Sequence, residues 1–465
     1  MGLKKDLSYF DLTNIVVGSI IGSDIYIASA ITAGLVGPFS LVVWFIAAIA
    51  AVILASVFAY CSFYVPRVGG SFAFVSEAFD DFYGFLTGWS LWIAELLALP
   101  VFAITFTNYL HYFIQLDFWG DTAVKALFLF GLTFVNIVGV KAAGKLNDFL
   151  TIVKLFPLLL IIVFGFALFA GNPASFAENY TPLMPFGLDN FGTALVLIFW
   201  AYVGFELGTL PAGEVKNPRK TIPKAIITGI SIVTVFYMLT NFVVFGTVGW
   251  QTLTSTTTPL ILVGSILLGT MGAALMSTGA MVSVSGSDAS GILGTSRLSY
   301  AMAIDGLFPK IFSKIHRKYK TPYMALIIQC IIAFMLSLFA GVANLISFSV
   351  FNLGFSFLLT CLALVVLKKE GEKKLYGQDV IPLLGIIVCL YLIYSTSMFD
   401  KIVGSAVIAL GIPLYVFFSP KTDIHHLKKL FTSEEAILER RLERKERFLA
   451  NFMRIVHRIF VKLRR

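Results

Sequence analysis

The chain is a succession of long apolar segments separated by short joints of charged residues, proline and glycine. An α-helix needs about 20 apolar residues to cross the hydrocarbon core of a bilayer. Twelve segments meet this need, near residues 12–36, 40–64, 83–114, 123–140, 147–170, 190–210, 223–248, 267–302, 322–341, 344–367, 380–397 and 402–419. The pattern predicts an all-α integral membrane protein with about twelve transmembrane helices.

Composition supports the same class. Of the 465 residues, 58% are hydrophobic and only 13% are charged, and the mean hydropathy is +0.88. These values exclude a large soluble catalytic domain. The first segment follows Lys4 and Lys5 and continues to Pro38, so we interpret it as a first transmembrane helix and not as a removed signal. Four cysteines lie inside apolar segments without metal-ligand spacing and are expected to be packing residues: Cys61, Cys330, Cys361 and Cys389.

The distribution of basic residues predicts the orientation, because cytoplasmic joints carry an excess of Lys and Arg. With the N-terminus inside, 32 of the 35 basic residues fall on the cytoplasmic side, counting Arg297 near a helix end. Lys125 and Lys401 fall outside, and Lys154 lies within a segment. Residues 421–465 supply 13 of these 32. Without them, 19 basic residues remain on the cytoplasmic side against 2 outside. We expect a multi-pass protein of the cell membrane with both termini cytoplasmic.

Two domains follow from this pattern, a transmembrane domain at 1–420 and a basic tail at 421–465. The tail has apolar residues at helical spacing among Arg and Lys, which predicts an amphipathic helix on the anionic inner leaflet. A solvated charged tail is the alternative. The net charge of +9 arises from this tail and the inner joints, so the lipid bilayer is the expected partner and nucleic acid is not.

Polar residues and glycine interrupt two segments, at Gly18–Tyr26 in the first and at Phe199–Glu206 in the sixth. Segments 1 and 6 open two consecutive blocks of five helices, where an inverted repeat places paired discontinuous helices. Unwound backbone in a membrane requires a ligand or a water-filled cavity. Helix N-termini then favour a carboxylate and freed carbonyls favour an ammonium, which suits an amino acid. Glycines that only allow close helix packing are the alternative.

Four signatures carry a resemblance that covers about Leu7 to Pro420. They are Ile21-Gly22-Ser23, Pro66–Ser71, Ala201–Glu206 with Glu214–Pro223 behind it, and Arg297–Pro309. In this order they resemble the amino acid–polyamine–organocation (APC) superfamily, and within it ApcT-like proton-coupled transporters. The resemblance implies a LeuT-type fold, in which helices 1–5 and 6–10 form inverted repeats and helices 11–12 follow. It further implies secondary active transport of amino acids by alternating access, without a cofactor.

The resemblance also implies a substrate site between segments 1 and 6, with contacts from segments 3, 8 and 10. Backbone around Gly22 and Ser23 would hold a substrate carboxylate. Carbonyls near Ile20, Ile21, Ala201 and Gly204 would hold its amine. Tyr202 and Phe205 would be gate or pocket-wall aromatics, for which packing or lipid contact is the alternative role.

Five ionisable side chains lie within apolar segments: Asp24, Glu95, Lys154, Glu206 and Asp288. A charge at the centre of a membrane helix costs about 2.5–3.5 kcal/mol on insertion scales. Each of these side chains is therefore expected to face a cavity, to pair with an opposite charge or to be neutral. Asp24 and Glu206 are added to the predicted substrate site.

By the resemblance, Lys154 takes the place that a sodium ion fills in sodium-coupled relatives. An ammonium can replace a bound cation, and burial favours release of its proton. Ser283, Ser285 and Ser287 are expected oxygen partners, and Asp288 joins this coupling group. The prediction is proton symport with H⁺ as the coupling ion and no metal. A lysine that extends to the inner membrane surface is the alternative.

The chain departs from the family at Asp24, where relatives usually have a small residue. Four acids against one lysine give the segments a nominal charge of −3, which would repel a carboxylate and attract an amine. A cationic amino acid or a polyamine is therefore the alternative substrate. The bias largely disappears if Asp24 or Asp288 pairs with Lys154.

Other functional classes fit the pattern less well. A membrane-embedded enzyme would need converging ligands or an activated nucleophile, but the five histidines lie in joints or the tail: His111, His316, His425, His426 and His457. We therefore predict that the protein is not an enzyme. A channel would favour rings of like groups along a continuous pore, and a transporter-derived sensor is separated from a carrier only by flux. Substrate identity, symport against exchange, and oligomeric state are left open by these patterns.

Overall fold

The computed structural model describes residues 8–66, 69–138, 140–209, 215–367 and 377–418, with the side chains of 140–152 not described. The regular elements of these residues are helices. The sixteen α-helices are α1 (Tyr9–Ile20), α2 (Asp24–Val36), α3 (Ser40–Tyr64), α4 (Gly70–Ala78), α5 (Asp81–Leu110), α6 (Phe118–Val138), α7 (Val140–Gly171), α8 (Pro173–Glu178), α9 (Phe191–Trp200), α10 (Pro218–Thr247), α11 (Trp250–Leu253), α12 (Pro259–Ile304), α13 (Tyr323–Phe339), α14 (Val342–Leu367), α15 (Ile381–Ser395) and α16 (Met398–Phe418). The predicted amphipathic helix of the tail lies outside the described residues.

Nine segments of the described residues are long and apolar enough to cross a membrane. One of them, Tyr9–Tyr64, contains α1, α2 and α3, and the apolar helices α13 and α15 are shorter, at 17 and 15 residues. Many large apolar side chains face outward, among them Leu127 and Phe339, which are 76% and 81% exposed. Such a surface suits lipid rather than water. The prediction of an all-α multi-pass membrane protein is thus confirmed, while the count of twelve crossings stays a prediction.

Each of the twelve predicted segments overlaps a helix. The eighth begins earlier than predicted, because α12 starts at Pro259 and not near residue 267. Gly269 interrupts this helix with φ 63° and ψ −153°, a conformation that glycine adopts readily. The glycine separates the first turns of α12 from the long remainder.

The first predicted interruption is a real break. Helix α1 ends at Ile20, and Ile21 is extended with φ −73° and ψ 97°. Helix α2 begins at Asp24. The unwound residues 21–23 leave carbonyl groups at the end of α1 and N–H groups at the start of α2 without their helical partners.

The second interruption is also a break, and it lies against the first. Helix α9 ends at Trp200, and a 3-10 helix, Phe205–Thr209, follows after a turn. Gly204 in this turn has φ +120°, and a Cβ atom on it would lie 2.9 Å from the carbonyl carbon of Ser19 and 3.0 Å from the nitrogen of Ile20. Only glycine allows this backbone conformation and this close approach together. The two breaks therefore meet, whereas the inverted symmetry of the repeats stays a prediction.

Helix α5 places further groups beside the breaks. It is buried along most of its length and packs against α12 and α14. Helix α7 packs against both α1 and α12. Side chains from α5, α7, α12 and α14 can therefore reach the region where the two broken helices meet.

Candidate functional site

The ammonium of Lys154 lies at the first break. Its Nζ atom donates to the carbonyl oxygens of Gly18 at 2.5 Å and Ile21 at 2.6 Å, and to the hydroxyl of Ser287 at 3.2 Å. The side chain is fully buried. An ammonium has three donors, and here three oxygens accept them. Lys154 thus sits among oxygens as a bound cation would, and it does not extend to a membrane surface.

Two of the three predicted serines belong to this group. The Ser287 hydroxyl lies 3.1 Å from the Gly18 carbonyl and 2.8 Å from that of Ile21. The Ser283 hydroxyl lies 3.3 Å from the Ile21 carbonyl oxygen. Ser285 instead donates to Met281 of its own helix at 2.6 Å. The structure therefore brings Ser283 and Ser287, but not Ser285, to the break.

Asp24 is the acid that accompanies Lys154. Its carboxylate is 4% exposed and lies close to the backbone N–H groups of Gly22 and of Asp24 itself, at the start of α2. Attraction also acts between this carboxylate and the Lys154 ammonium. The sequence left two acids, Asp24 and Asp288, as possible partners of Lys154. Asp24 is near the lysine, whereas the described groups that act on Lys154 do not include Asp288. The Asp24 carboxylate thus lies beside the backbone that the resemblance assigned to a substrate carboxylate.

Tyrosine hydroxyls donate to two backbone carbonyls at and beside the first break. Tyr237 of α10 donates to the Ile20 carbonyl at 3.1 Å, and Tyr109 of α5 donates to the Tyr26 carbonyl at 2.7 Å. The Ile20 and Ile21 carbonyls, which the resemblance assigned to a substrate amine, thus have protein donors in this conformation. Neither tyrosine was singled out from the sequence, because no local signal marks a hydroxyl that bonds across helices.

A pair of carboxyl groups lies at the second break. Glu206 is 3% exposed, and its Oε2 atom accepts from the Gly204 N–H at 3.0 Å. Glu95, from α5, lines the same cavity as Glu206 and is close enough for the two carboxyl groups to act on each other electrostatically. The Oε1 atom of Glu206 has no hydrogen-bond partner among the described residues. Because adjacent carboxylates repel each other when both are charged, this pair favours a bound proton or a nearby cationic group.

A small cavity of about 40 Å³ lies between the breaks. This is room for roughly three water molecules and is far below the several hundred Å³ of an open ligand pocket. Its lining comes from α1, α2, α5, α9 with the turn after it, α12 and α14: Ser19, Ile20, Asp24, Ala94, Glu95, Ala98, Phe102, Trp200, Val203, Gly204, Glu206, Leu207, Ser287, Gly291, Ser349 and Leu353. These elements correspond to predicted segments 1, 3, 6, 8 and 10. The centre is closed, so a substrate needs the surrounding helices to separate.

The aromatic wall of the cavity differs from the expectation. Phe102 and Trp200 line it, with ring centroids 6.1 Å apart. A Cβ atom on Gly22 would lie 2.8 Å from a ring carbon of Phe102, so the glycine lets the ring reach the break. Trp200 borders an interruption that the sequence shows, whereas Phe102 lies on the continuous helix α5, where no pattern marks it.

The predicted gate aromatics have packing contacts in this conformation. Tyr202 packs edge-on against Trp44, with ring centroids 5.8 Å apart. Phe205 packs against Phe58, with ring centroids 5.6 Å apart. Both are fully buried, in agreement with the alternative role that the sequence left open. Four further predicted binding residues are buried beside the breaks and not in the cavity wall: Ile21, Gly22, Ser23 and Ala201.

The part of the chain that the structure describes contains no group of three or more His, Cys, Asp or Glu residues that could hold a metal ion. The four cysteines are free and buried. Residues 67–68 and 214, which belong to two of the sequence signatures, lie outside the described residues.

The fold and the paired breaks define a helical membrane transporter, and comparison with known proteins agrees. A model of the amino acid permease family matches residues 7–418. The chain therefore belongs to the amino acid permeases, within the APC superfamily.

Individual relatives extend over nearly the whole chain. The branched-chain amino acid permease BcaP of Bacillus subtilis is 28% identical over 442 residues, 90% of this chain and 94% of the relative. The serine/threonine exchanger SteT of the same organism is 28% identical over 438 residues, 89% of this chain and 97% of the relative. The human large neutral amino acids transporter small subunit 2 is 27% identical over 435 residues, 89% of this chain and 80% of the relative. These relatives are amino acid transporters, and their names include both a permease and an exchanger.

Proposed function

We propose that this permease is a secondary active transporter that moves amino acids by alternating access in symport with protons. The observation that carries the coupling is the position of Lys154, whose ammonium bonds the carbonyls of Gly18 and Ile21 at the first break. A titratable cation that joins α7 to a discontinuous helix can link proton binding to the conformation of that helix.

The mechanism follows from what the ammonium holds together. In the protonated state Lys154 joins α7 to the end of α1, and Ser287 of α12 bonds the same carbonyls. Loss of the proton removes the charge and one donor, so the break is held less tightly. A proton that binds one conformation better than another shifts the equilibrium between them. Substrate affinity, which depends on the same break, is then linked to the proton.

The substrate is proposed to bind in the cavity between the breaks. Gly204, the Trp200 ring and the Glu206 carboxyl line this cavity, and Gly22 is buried beside it. In the closed conformation the Asp24 carboxylate lies beside the N–H groups at the start of α2. Binding of a substrate carboxylate therefore requires Asp24 to turn away, and the Lys154 ammonium is the near group that can receive it.

One observation favours a second candidate. The Asp24 carboxylate already lies where a substrate carboxylate would bind, and Glu95 and Glu206 line the same cavity. A ligand with amino groups but no free carboxylate would match three acids at one cavity. The alternative is a transporter or exchanger of cationic amino acids or polyamines. For a polyamine, which has no carboxylate, Asp24 would supply the carboxylate at this position.

The proposed location is the cell membrane, with residues 1–420 as the transporter domain and both termini cytoplasmic. The excess of Lys and Arg on one side of the predicted topology supports this orientation. The basic tail at 421–465 is proposed to lie on the anionic inner leaflet.

Uptake by the purified protein in liposomes tests this function. Labelled neutral amino acids, cationic amino acids and polyamines are supplied with an inward proton gradient, without one, and with unlabelled substrate inside. Gradient-driven accumulation that a protonophore abolishes supports symport. Uptake that needs internal substrate and ignores the gradient identifies an exchanger, and binding without flux identifies a sensor.

The matched variants are Lys154→Ala and Lys125→Ala. Lys125 also donates to a backbone carbonyl, that of Ser337 at 3.3 Å, but it lies on α6 away from the breaks. Lys154→Ala is expected to lose the dependence on the proton gradient, while Lys125→Ala keeps it. Rapid uptake by Lys154→Ala with unchanged pH dependence contradicts the proposed role of this lysine.

A further inference from the structure

A second group of buried polar atoms lies between α6, α12 and α13. Its centre is Asp288 of α12, which is fully buried and has no hydrogen-bond partner for either carboxylate oxygen among the described residues. Burial of a charged carboxylate without compensation is unfavourable. Something other than the described side chains must therefore neutralise Asp288.

Asn136 of α6 presents an unpaired oxygen in the same region. Its Nδ2 atom donates to the carbonyl oxygens of Leu132 at 3.0 Å and Ala289 at 3.3 Å. Because both partners are acceptors, the orientation of the amide is fixed. The Oδ1 atom consequently faces the other way, and it is buried without a donor among the described residues.

Gln329 of α13 repeats this arrangement from the other side. Its Nε2 atom donates to the carbonyl of Ile292 at 2.7 Å, which again fixes the amide. Its Oε1 atom is buried and has no donor in the described part of the chain. The amide nitrogens of Asn136 and Gln329 thus bind the backbone of α12 one residue and four residues beyond Asp288.

Thr133 and Cys330 connect these groups. Thr133 lies one turn before Asn136 on α6, and its Oγ1 atom lacks an oxygen or nitrogen partner among the described residues. The Cys330 thiol, next to Gln329 on α13, lies near Thr133 and within electrostatic range of Asp288. We call Asp288, Asn136, Gln329 and Thr133 the buried oxygen cluster.

The buried oxygen cluster is separate from the group at Lys154. Neighbouring residues on a helix point about 100° apart, and Ser287 already faces the break in α1. The described groups that act on Lys154 are Asp24 and the oxygens of the break, not Asp288. Helix α12 therefore carries one polar group on each of two faces.

The chemistry of the buried oxygen cluster matches a small cation. One proton on Asp288 could be donated to only one of the amide oxygens and would leave the other without a partner. A monovalent cation could accept electron pairs from the carboxylate, both amide oxygens and the hydroxyl, and its charge would balance the single carboxylate. Such hard oxygen ligands suit alkali-type and alkaline-earth-type ions, but a divalent ion would leave an unbalanced charge inside the membrane.

We infer that the buried oxygen cluster is a monovalent cation site, for which Na⁺ is the probe, with Asp288 as the charged ligand. Occupancy would fix the position of α12 relative to α6 and α13. Since Ser287 of the same helix bonds the break in α1, the cation would stabilise the framework that surrounds Lys154.

The test is thermal unfolding of the full-length protein in detergent, in NaCl and in choline chloride at equal ionic strength. A ligand that binds only the folded state raises the Tm in a saturable way. We expect such a rise with Na⁺. Asp288→Asn should abolish it, and Gln329→Met, which keeps the acid and the approximate volume, should raise the half-saturating Na⁺ concentration by roughly tenfold or more.

Asp400→Asn is the matched control. Asp400 is also a buried acid, but it has its own partners, the hydroxyls of Ser347 and Ser397, so its Na⁺ response should equal that of the wild type. A Tm that is equal in Na⁺ and choline overturns the inference. A Na⁺-induced rise in Tm that survives both Asp288→Asn and Gln329→Met overturns it as well. So does a Tm that changes with pH through Asp288 but not with Na⁺. The readout requires no transport, so its outcome is independent of proton symport.

Discussion

The Nζ atom of Lys154 lies 2.6 Å from the carbonyl oxygen of Ile21, the first residue after α1 ends. A helix break releases carbonyl oxygens, and in this protein a buried lysine from α7 binds two of them. The break and the charge therefore stabilise each other. Replacement of the lysine should affect both the stability and the coupling of transport.

Lys154→Met should lower the stability of the protein. The change leaves the Gly18 and Ile21 carbonyls with fewer donors, and a buried group that loses its partner costs about 1–3 kcal/mol. Lys154→Arg should not restore the wild type, because a planar guanidinium has a different donor geometry and does not release its proton. Thermal unfolding in detergent measures both, with Lys125→Met as the control. A wild-type Tm for Lys154→Met would show that these hydrogen bonds contribute nothing.

Ser287→Ala and Ser285→Ala form a matched pair on α12. Ser287 reaches the carbonyls of the break, whereas Ser285 bonds Met281 in its own helix. Loss of the Ser287 hydroxyl should cost about 1 kcal/mol and weaken proton-dependent uptake, while Ser285→Ala remains close to the wild type. Uptake in liposomes under a proton gradient distinguishes them, and equal behaviour of the two variants would contradict the assignment of Ser287.

Gly204→Ala should disrupt the contact between the two breaks. The residue has φ +120°, and its new Cβ atom would lie 2.9 Å from the backbone of Ser19. Backbone strain of this kind costs about 1–3 kcal/mol, to which the clash adds. The control is Gly131→Ala, where the new Cβ meets nothing within 4 Å and a small gain in helix stability is expected. The yield of monodisperse protein and its Tm are the measurements. A Gly204→Ala protein as stable as Gly131→Ala would mean that the breaks do not need this close approach.

Asp24→Ser tests which ligand the first break accepts. Removal of the carboxylate frees N–H groups at the start of α2, so neutral amino acids should bind more tightly and amines more weakly. An anion at a helix N-terminus is worth about 0.3–2 kcal/mol, which corresponds to a change in Kd of at most roughly thirtyfold. Ligand-induced shifts in Tm measure this preference. The control is Asp11→Asn, because Asp11 lies in the first turn of α1, at the end away from the break. An unchanged ligand preference in Asp24→Ser would exclude a role for Asp24 in substrate selection.

The sequence indicates the breaks because glycine and acids in apolar segments are unfavourable unless they have a function. Lys154 and Asp24 could be selected on the same ground. By contrast, Phe102 and Tyr237 lie on uninterrupted helices, and their contacts with the breaks depend on how those helices pack. The same holds for the serines of α12, where helix rotation decides that Ser287 and not Ser285 faces the break.

The distinct surroundings of Asp288 were equally inaccessible to the sequence. Its charge indicated a functional group, and proximity in the chain to Ser287 suggested one shared coupling group. Only the packing of α6 and α13 on α12 shows that Asn136 and Gln329 bond the backbone of α12 next to Asp288. Periodicity identifies the helices, but it does not specify which neighbours each face meets.

Proton movement measured together with substrate movement tests the central claim most directly. Liposomes that contain the purified protein and an internal pH-sensitive dye are given an external amino acid that the protein transports. The account predicts acidification of the interior as the amino acid enters, and none with Lys154→Ala. Entry of the amino acid into wild-type liposomes without any change in internal pH would contradict proton symport.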